Sequence, residues 1–499
     1  MPWIKEEKLY PIIALLLILI IAVRTPLDTD MWWHLRAGEE TLSNREVYSV
    51  DTFSFTRDGS DWINHSWLSQ VVMYFLFQAA SYYGISIWVG LCAVLSMLFV
   101  YLNMKGHPLL RSAVLLFAAV VSSVVWSPRP QIHSLVLFSL IGYLIIKYKE
   151  TKELRYLVFF LPIFALWGNL HGGYVLGIIF LGTVIAGEIL NKVLFKEFPQ
   201  NLTWRELGLF ASFTFLSIIA VLINPFGLDM WRIPFNTVEV ETLQNLINEW
   251  ASPDFHKAFQ QPMLWMMLGV FSLMGLSKTE IDGTELVPLA AFSWAALVAR
   301  RNFGPFAIIA APIFSKYLAC LLEEWIRVAK RKYTAIENML DKTNQSNMEL
   351  KPGIKNLINL ILIGLLTVGV VWKVIDVNQP GLILNAERKI FPVEAVEWLE
   401  ISGIKGNVLN EYNWGGYLIW HLRDIHVFVD GRTDLYGDEI LSKWQQALHG
   451  ENGWQDMILQ EDIAVILIRN DNLYKLHFLT DGWVELYEDE LSVLLISDN

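Results

Sequence analysis

Residues 27–38 read Leu-Asp-Thr-Asp-Met-Trp-Trp-His-Leu-Arg-Ala-Gly and follow directly on the first apolar segment of the chain. Asp28 and Asp30 therefore stand where a membrane helix would end. Carboxylates at that depth are costly unless they face water or take part in chemistry, and the two neighbouring tryptophans suit the headgroup level of a bilayer. The stretch predicts a functional site at the edge of a membrane, next to His34.

The composition of the 499-residue chain is typical of a polytopic membrane protein. Apolar residues make up 54%, the mean hydropathy is +0.39 and there are 21 tryptophans, more than a soluble protein tolerates. The formal net charge is −12, but the acids concentrate in the tail and in one or two loops, so the sequence contains no basic groove for nucleic acid. Cys92 and Cys320 both fall inside apolar segments, which excludes a disulfide framework and a cysteine metal site.

Hydropathy indicates a membrane domain, residues 1–376, and a more polar C-terminal domain, residues 377–499. The membrane domain contains about 11 apolar runs, each close to the roughly 20 residues needed to cross a bilayer. They lie at about 9–23, 85–104, 109–126, 132–148, 154–170, 174–195, 207–223, 263–276, 286–298, 303–322 and 354–374. The segment at about 67–83 follows a long first loop at about 25–66, and its mixed face predicts an interfacial helix lying on the membrane.

Lys and Arg collect in alternate connections between these runs, for example in 147–155 and 316–355. By the positive-inside rule those connections are cytoplasmic. The N-terminus then lies in the cytoplasm, whereas the first loop and the C-terminal domain lie outside the cytoplasmic membrane. The acidic turn at 278–285 departs from this alternation.

The C-terminal domain is predicted to be a small extracytoplasmic α/β domain. A short helix is expected at 391–399, and apolar stretches at 408–409, 427–429, 464–468 and 493–496 indicate strands separated by glycines. The acidic run at 430–439 fits no calcium-binding loop by its spacing, so ordinary turn chemistry is expected there. The predicted fold class is therefore an α-helical polytopic membrane protein that ends in a small α/β domain.

In this predicted topology, the polar side chains whose burial near a membrane is energetically costly lie on the outer side of the membrane. They come from the end of the first helix, the end of the first loop and the turns between later spans. The candidate site residues are Asp28, Asp30, His34, His65, Arg129, His133, Asn169, His171, Arg300 and Arg301. The cytoplasmic turns carry mainly Lys and little His, so this distribution favours one site at the outer membrane face.

The chemistry of these side chains suggests a division of roles. The planar guanidinium groups of Arg129, Arg300 and Arg301 suit a phosphate or pyrophosphate at headgroup depth. Asp28 or Asp30 can accept a proton from an attacking hydroxyl, or hold a divalent cation through oxygen ligands. The histidines can assist proton transfer, bind phosphate as imidazolium or join a metal site. Together they indicate transfer of a group from a lipid-linked phosphate to an acceptor hydroxyl.

The same features have other interpretations. An acidic pair after a membrane helix is often a solvated loop start or a helix cap, and Arg300 with Arg301 is equally typical of an anchor among lipid headgroups. A transporter or flippase for a lipid-linked saccharide would also need Arg and His along its path, but it would show internal repeats, and the sequence has none. A non-catalytic scaffold of cell-envelope polysaccharide assembly is the third possibility.

The residues resemble the GT-C superfamily of polytopic membrane glycosyltransferases, and within it proteins similar to dolichyl-phosphate-mannose mannosyltransferases. The resemblance lies in the acidic pair that opens the first loop and in two further strings, Asn64-His-Ser-Trp67 and Arg129-Pro-Gln131. Three more strings are similar to those of a less characterised bacterial or archaeal branch: Asn169-Leu-His-Gly-Gly173, Asn224-Pro-Phe-Gly227 and Tyr412-Asn-Trp-Gly-Gly-Tyr417.

The resemblance implies an enzyme that transfers a hexosyl or pentosyl group from a polyprenyl-phosphate donor to a lipid, glycan or protein acceptor at the outer face. It implies Asp28 or Asp30 as general base, and leaves open which of the two acts and whether Mg²⁺ or Mn²⁺ is needed. The Trp-Trp-Asp-Tyr-Gly motif of oligosaccharyltransferases is missing from the sequence, so glycosylation of asparagine in peptides is not expected. The expected partners are thus the donor, the acceptor and the membrane, without nucleic acid.

Overall fold

The computed structural model describes residues 6–194, 198, 200–235, 249–332 and 352–497. Parts of four predicted segments lie outside the described residues. They are 1–5 and 498–499 at the ends of the two predicted domains, 195 in one predicted span, and 333–351 in the basic connection. Within the described residues the protein is mostly helical, with one small sheet near the C-terminus.

A helix overlaps every apolar run identified in the sequence. In chain order the helices of the first domain are α1 (Glu6–Ala22), α2 (Met31–Asn44), α3 (Trp67–Asn103), α4 (Pro108–Ser122), α5 (Gln131–Thr151), α6 (Arg155–Val158), α7 (Phe160–Leu170), α8 (Tyr174–Val193), α9 (Trp204–Ala220), α10 (Gln261–Leu276), α11 (Gly283–Val298), α12 (Phe303–Lys332) and α13 (Pro352–Val377). Helix α2 lies in the first loop and corresponds to no predicted segment.

Six helices in the described part of the chain are long and apolar enough to cross a membrane. They are Trp67–Asn103, Pro108–Val125, Gln131–Thr151, Tyr174–Val193, Arg300–Ala329 and Gly353–Val377. Arg155–Leu170 and Gly283–Val298 are apolar but shorter. The helical, polytopic membrane architecture is confirmed, whereas the count of about 11 spans stays a prediction.

Helix α3 joins the predicted interfacial segment to the span that follows it, with a kink between them. Ala80 and Ser81 leave the helical conformation, and Ser81 has a φ of 51°, which is uncommon for a residue with a side chain. The first half of α3 packs on α2, where Gly38 lies directly against its backbone. The second half packs on α5, where Ser96 Oγ donates to a backbone carbonyl at 3.1 Å. The interfacial position of the first half stays a prediction.

The C-terminal domain is built around a five-stranded mixed sheet. Its helices are α14 (Pro380–Ile390), α15 (Val393–Ser402), α16 (Gly415–His421), α17 (Thr433–His449), α18 (Trp454–Gln460) and α19 (Asn472–Thr480). Its strands are β1 (Gly406–Asn410), β2 (Ile425–Val427), β3 (Ile463–Arg469), β4 (Trp483–Glu488) and β5 (Ser492–Ser497), in the order β2-β1-β3-β5-β4. Strand β1 pairs in parallel with β2 and β3, and β5 pairs antiparallel with β3 and β4.

Four of these strands match the predicted apolar stretches, although β2 begins and ends two residues before the stretch at 427–429. Strand β4 is not among them. Its sequence, Trp-Val-Glu-Leu-Tyr-Glu, mixes apolar and acidic residues because β4 lies at one edge of the sheet and is largely open to solvent.

The first loop extends the sheet at the opposite edge, which is formed by β2. Ser54 forms a parallel bridge with Val427. The Phe55 N–H donates to the Val427 carbonyl at 3.2 Å, and the Val427 N–H donates to the Phe53 carbonyl at 3.1 Å. The loop and the C-terminal domain are therefore joined by main-chain pairing.

The same interface encloses Arg432 between two carboxylates. Its Nη2 lies 2.7 Å from Asp430 Oδ2, and its Nη1 lies 2.6 Å from Asp51 Oδ1 of the first loop. All three side chains are completely buried, and the rings of Phe53 and Trp62 lie 5.1 and 5.3 Å from the guanidinium carbon. Removing one member of a buried ion network is strongly destabilising, because the remaining charges are left unpaired in a low dielectric. This contact therefore fixes the position of the first loop on the C-terminal domain.

Replacing Arg432 with Met tests this contact. We expect the melting temperature of the purified protein in detergent to fall by several degrees, because removing one partner of a buried ion pair costs about 3–5 kcal/mol. Thermal unfolding followed by tryptophan fluorescence measures the shift. The matched control is Arg423→Met, because Arg423 lies 2.7 Å from Glu39 but is 40% exposed, and such a pair contributes at most about 1 kcal/mol. Equal melting temperatures for the two variants would contradict the assignment.

Candidate active site

The acidic pair after α1 is bound by a single guanidinium group. Arg129 Nε donates to Asp28 Oδ1 at 2.5 Å, and Arg129 Nη1 lies 2.9 Å from Asp30 Oδ2. The three side chains are between 11% and 18% exposed, so the cluster is largely shielded from water. The structure thus brings together both predicted carboxylates and the first predicted arginine.

Local backbone geometry aims the two carboxylates at the same point. The Asp30 N–H donates to Asp28 Oδ1 at 2.9 Å, a turn typical of Asp, and α2 begins one residue later at Met31. Arg129 comes from the Ser-Pro-Arg-Pro turn before α5, where its N–H donates to the Ser127 carbonyl at 2.8 Å. The prolines on both sides of Arg129 restrict the backbone of this turn.

A third carboxylate, Glu249, approaches the same guanidinium group. Its Oε2 lies 3.6 Å from Arg129 Nη1. The Glu249 carbonyl also accepts the Arg301 N–H at 3.1 Å, and the Arg300 N–H donates to a carbonyl of the same segment at 3.3 Å. The Arg301 guanidinium carbon lies 4.3 Å from the ring centre of Trp250, a cation–π contact. One short segment therefore links the predicted arginines at the two ends of the site.

The C-terminal domain covers Asp30. Gly431 is so close that a methyl group on its Cα would overlap Asp30 Oδ1. Burial raises the pKa of Asp30 to about 6, an effect that Arg129 opposes and that Asp28 and Glu249 reinforce. Asp30 is therefore a carboxylate that exchanges its proton close to neutral pH, as a general base requires.

Three of the predicted histidines form a second group beside the arginines. The rings of His65 and His171 are centred 6.0 Å apart, and His34 Nδ1 lies 3.3 Å from Gln70 Nε2. Burial lowers the pKa of each ring, and for His34 and His171 the neighbouring cationic groups lower it further. All three rings are therefore uncharged near neutral pH.

A cavity lies beside His171 and Arg301, between α5, α8 and the start of α12. Its polar lining comes from these two residues together with Gln131 and Ser134, and the rest of its wall is apolar. His171 Nδ1 accepts the Gly173 N–H at 3.0 Å, so the hydrogen of the neutral ring is on Nε2. The cavity thus offers a guanidinium group and an imidazole ring, which are suitable donors to an anion.

His133 and Asn169 are bonded within the protein. His133 Nε2 accepts the Trp88 indole N–H at 3.2 Å, and His133 Nδ1 lies 2.9 Å from Ser69 Oγ. Asn169 accepts the Trp67 indole N–H at 2.9 Å and donates to two backbone carbonyls. The hydrogen bonds of both residues hold α3 against its neighbours, so their geometry favours a structural role over the predicted contact with substrate.

The architecture that carries this site is similar to that of a solved membrane protein. ArnT from Cupriavidus metallidurans bound to undecaprenyl phosphate matches 97% of this chain and 97% of its own, with a TM-score of 0.53 and 10% sequence identity. The chain therefore shares the GT-C fold with ArnT. The oligosaccharyltransferase of Archaeoglobus fulgidus in the apo form matches 94% of this chain and 70% of its own, with a TM-score of 0.49 and 11% identity. No protein-family model and no curated protein matches the sequence.

The GT-C fold here gathers carboxylates around an arginine. Among the described residues, no group of three His, Cys, Asp or Glu side chains is placed to hold a metal ion. Asp28, Asp30 and Glu249 converge on the Arg129 guanidinium group instead, which a divalent cation would have to displace. These residues do not fit a metal site as they stand, and a metal role for Asp28 and Asp30 stays a prediction.

Sequence reasoning misses three residues of this candidate site: Glu249, Gly431 and Asp434. Glu249 lies in a connection without periodicity, and its adjacent tryptophan is the available signal. Turn chemistry is present in the run 430–439, where Asp430 Oδ1 accepts the Arg432 N–H at 2.9 Å. The run also makes contacts that the sequence does not indicate, because Asp430 is the buried partner of Arg432 and Asp434 Oδ2 accepts the Trp62 indole N–H at 3.0 Å. The glycine inside this acidic run marks the close approach to Asp30.

Gly431→Ala tests whether the C-terminal domain packs on the acidic pair. The added methyl group would overlap the Asp30 carboxylate and come within 2.8 Å of Trp33 Nε1. Overpacking of this kind costs about 1–3 kcal/mol, so we expect a lower melting temperature in detergent. Gly381→Ala is the control, because a methyl group there meets no atom within 4 Å. A Gly431→Ala protein as stable as Gly381→Ala would contradict the observed packing.

Proposed function

We propose that this protein is a glycosyltransferase that moves a sugar from a polyprenyl-phosphate donor to an acceptor hydroxyl at the outer face of the membrane. The observation that carries the proposal is the cluster of Asp28, Asp30 and Arg129 beside a cavity that contains Arg301 and His171. It supplies a proton acceptor and anion donors at the end of a membrane helix. The fold supports it, since ArnT, which has the same fold, was solved bound to undecaprenyl phosphate.

Asp30 is the general base in this proposal, and Asp28 positions it. Asp28 Oδ1 accepts both the Asp30 N–H and the short hydrogen bond from Arg129 Nε, so two donors hold this oxygen in place. Asp30 has the raised pKa, and a base is most effective when its pKa lies near the working pH. On these grounds we propose Asp30, rather than Asp28, as the base.

The reaction is a displacement at the anomeric carbon of the sugar. A bond forms between the acceptor oxygen and this carbon, and the bond from this carbon to the phosphate oxygen breaks. The acceptor proton passes to Asp30, and the polyprenyl phosphate leaves with the electron pair. Arg301 and His171 line the cavity, and in this proposal they donate to that negative charge. Fixed donors lower the barrier because they need no reorganisation.

The acceptor, the sugar and the orientation of the chain are part of the same proposal. In this proposal the isoprenoid chain of the donor reaches the site from the bilayer, along helices that are long and apolar enough to cross a membrane. The positive-inside distribution of Lys and Arg puts the N-terminus in the cytoplasm and the C-terminal domain outside. The acceptor is then a lipid, glycan or protein hydroxyl on the outer side.

Asp30→Asn is the decisive variant. We expect it to remain folded and to lose about 10²- to 10⁴-fold in kcat, the usual contribution of a general base. The assay is sugar transfer from a panel of polyprenyl-phosphate sugars by the purified protein in detergent. Asp61→Asn is the control, because Asp61 is an exposed carboxylate of the same loop.

The pH profile provides an independent check on Asp30. The rate of the unaltered protein should rise with pH through about 6 and then level off, because only the unprotonated carboxylate accepts the proton. Full activity of Asp30→Asn would refute its role as base. A protein that lacks transfer activity toward every donor of the panel would favour the transporter or the scaffold.

Transfer should also persist after chelation of divalent cations. Arg129 already neutralises the carboxylates that a metal would need, so we expect less than a twofold change in rate after dialysis against EDTA. Metal analysis of the dialysed protein confirms that the cations have been removed. A loss of activity that Mg²⁺ or Mn²⁺ restores would show that the carboxylates rearrange around a cation.

A further inference from the structure

Asp434 of the C-terminal domain reaches into the first loop. It lies in the first turn of α17 and is 13% exposed. Its Oδ2 accepts the Trp62 indole N–H at 3.0 Å and lies 3.9 Å from His65 Nδ1. A carboxylate near a helix N-terminus is stabilised by the helix dipole, which accounts for an acid at this position but not for its approach to a histidine of another domain.

His65 faces Asp434 with an unsatisfied atom. Among the described residues its Nδ1 is buried and has no hydrogen-bond partner. The opposite edge of the ring faces Gly172, since a methyl group on that glycine would lie 3.4 Å from His65 Cδ2 and 3.9 Å from Nε2. The ring therefore points one nitrogen at the carboxylate and the other toward the segment that carries His171.

The charged and titratable groups around His65 come from four segments of the chain. They are Asp434 of α17, His34 of α2, His171 after α7 and Arg301 before α12. Burial and Arg301 disfavour a charged ring, and the Asp434 carboxylate favours one. His171 lines the neighbouring cavity, and its ring is centred 6.0 Å from that of His65, so a phosphate group in that cavity would add a second negative charge near His65.

We infer that Asp434 is a positioning residue that holds His65 as an Nδ1–H donor, so that the protonated ring donates from Nε2 to the phosphate of the polyprenyl donor. This inference rests on the proposed function, because the ligand it names is the donor phosphate of that reaction. Pairing His65 with Asp434 requires the two atoms to approach by about 1 Å, since a hydrogen bond of this kind spans about 2.7–2.9 Å. The C-terminal domain thereby contributes to donor binding through a histidine of the first loop.

The variant Asp434→Asn distinguishes the effect of Asp434 on His65 from its structural contact with Trp62. Asparagine keeps an oxygen for the Trp62 N–H and removes the charge that favours a proton on His65 when a phosphate binds beside it. The measurement is binding of C55 polyprenyl phosphate to the full-length protein in detergent as a function of pH. We expect wild-type affinity to fall as pH rises, and Asp434→Asn to bind about tenfold more weakly at the acidic end, with less dependence on pH. Asp456→Asn, an exposed carboxylate of α18, should bind like the wild type.

A double-mutant cycle with His65→Gln isolates the pathway. If Asp434 acts through His65, adding Asp434→Asn to His65→Gln should cause no further loss of affinity. A full additional loss in the double variant, or wild-type binding by Asp434→Asn at every pH, overturns the inference. Should Asp434→Asn fail to fold, Asp434→Glu takes its place, and it should recover the pH dependence because it keeps the charge.

The binding assay also separates this inference from the proposed function. A protein that binds C55 polyprenyl phosphate through the two residues, but transfers no sugar, would sustain the inference and refute the glycosyltransferase. A protein whose wild-type form does not bind this lipid phosphate would overturn the inference, whatever its activity. In transfer assays, Asp434→Asn should raise KM for the donor more than it lowers kcat, because the interaction already exists in the ground state.

Discussion

The arrangement of this molecule depends on Arg432. The Arg432 guanidinium group binds Asp430 of the C-terminal domain and Asp51 of the first loop, and both carboxylates are completely shielded from solvent. An ion network of this kind tolerates little change of position, because each displaced oxygen leaves a charge in a low dielectric. The residues on either side of Arg432 are therefore fixed as well, which places Gly431 on Asp30 and Asp434 near His65.

A second guanidinium group, that of Arg129, holds the candidate site together as Arg432 holds the interface together. Each is shared between carboxylates of two different segments, and each is supplied by a short turn with little freedom of its own. The difference lies in exposure, because Arg432 has none and the Arg129 cluster retains some. Interactions with a guanidinium group that solvent or a ligand can reach are open to competition from a phosphate, whereas those of Arg432 are not.

The sequence predicts those site residues whose charged or polar side chains are energetically costly at their position in the chain. Asp28, Asp30, Arg129 and His171 stand out because charged or polar groups at the ends of apolar helices are expensive, and hydropathy gives the helices themselves. Glu249 and Asp434 cannot be identified in this way, since an acidic residue within a polar stretch of sequence implies no energetic penalty. Their roles arise from contacts between distant segments, which no local period or spacing encodes. Strand β4 is missed for a related reason, because an edge strand needs no apolar pattern.

In the proposed mechanism, the balance of charge favours a histidine that takes up a proton beside the acidic cluster when the donor phosphate binds. Asp28, Asp30 and Glu249 outnumber Arg129 and Arg301, so the cluster as a whole repels an incoming phosphate when every carboxylate is ionised. A proton on Asp30 would relieve this repulsion, but it would also remove the base. A proton on His65 relieves it and leaves Asp30 free to act. The carboxylate of Asp434, which lies 3.9 Å from Nδ1 of the ring, favours that proton on His65.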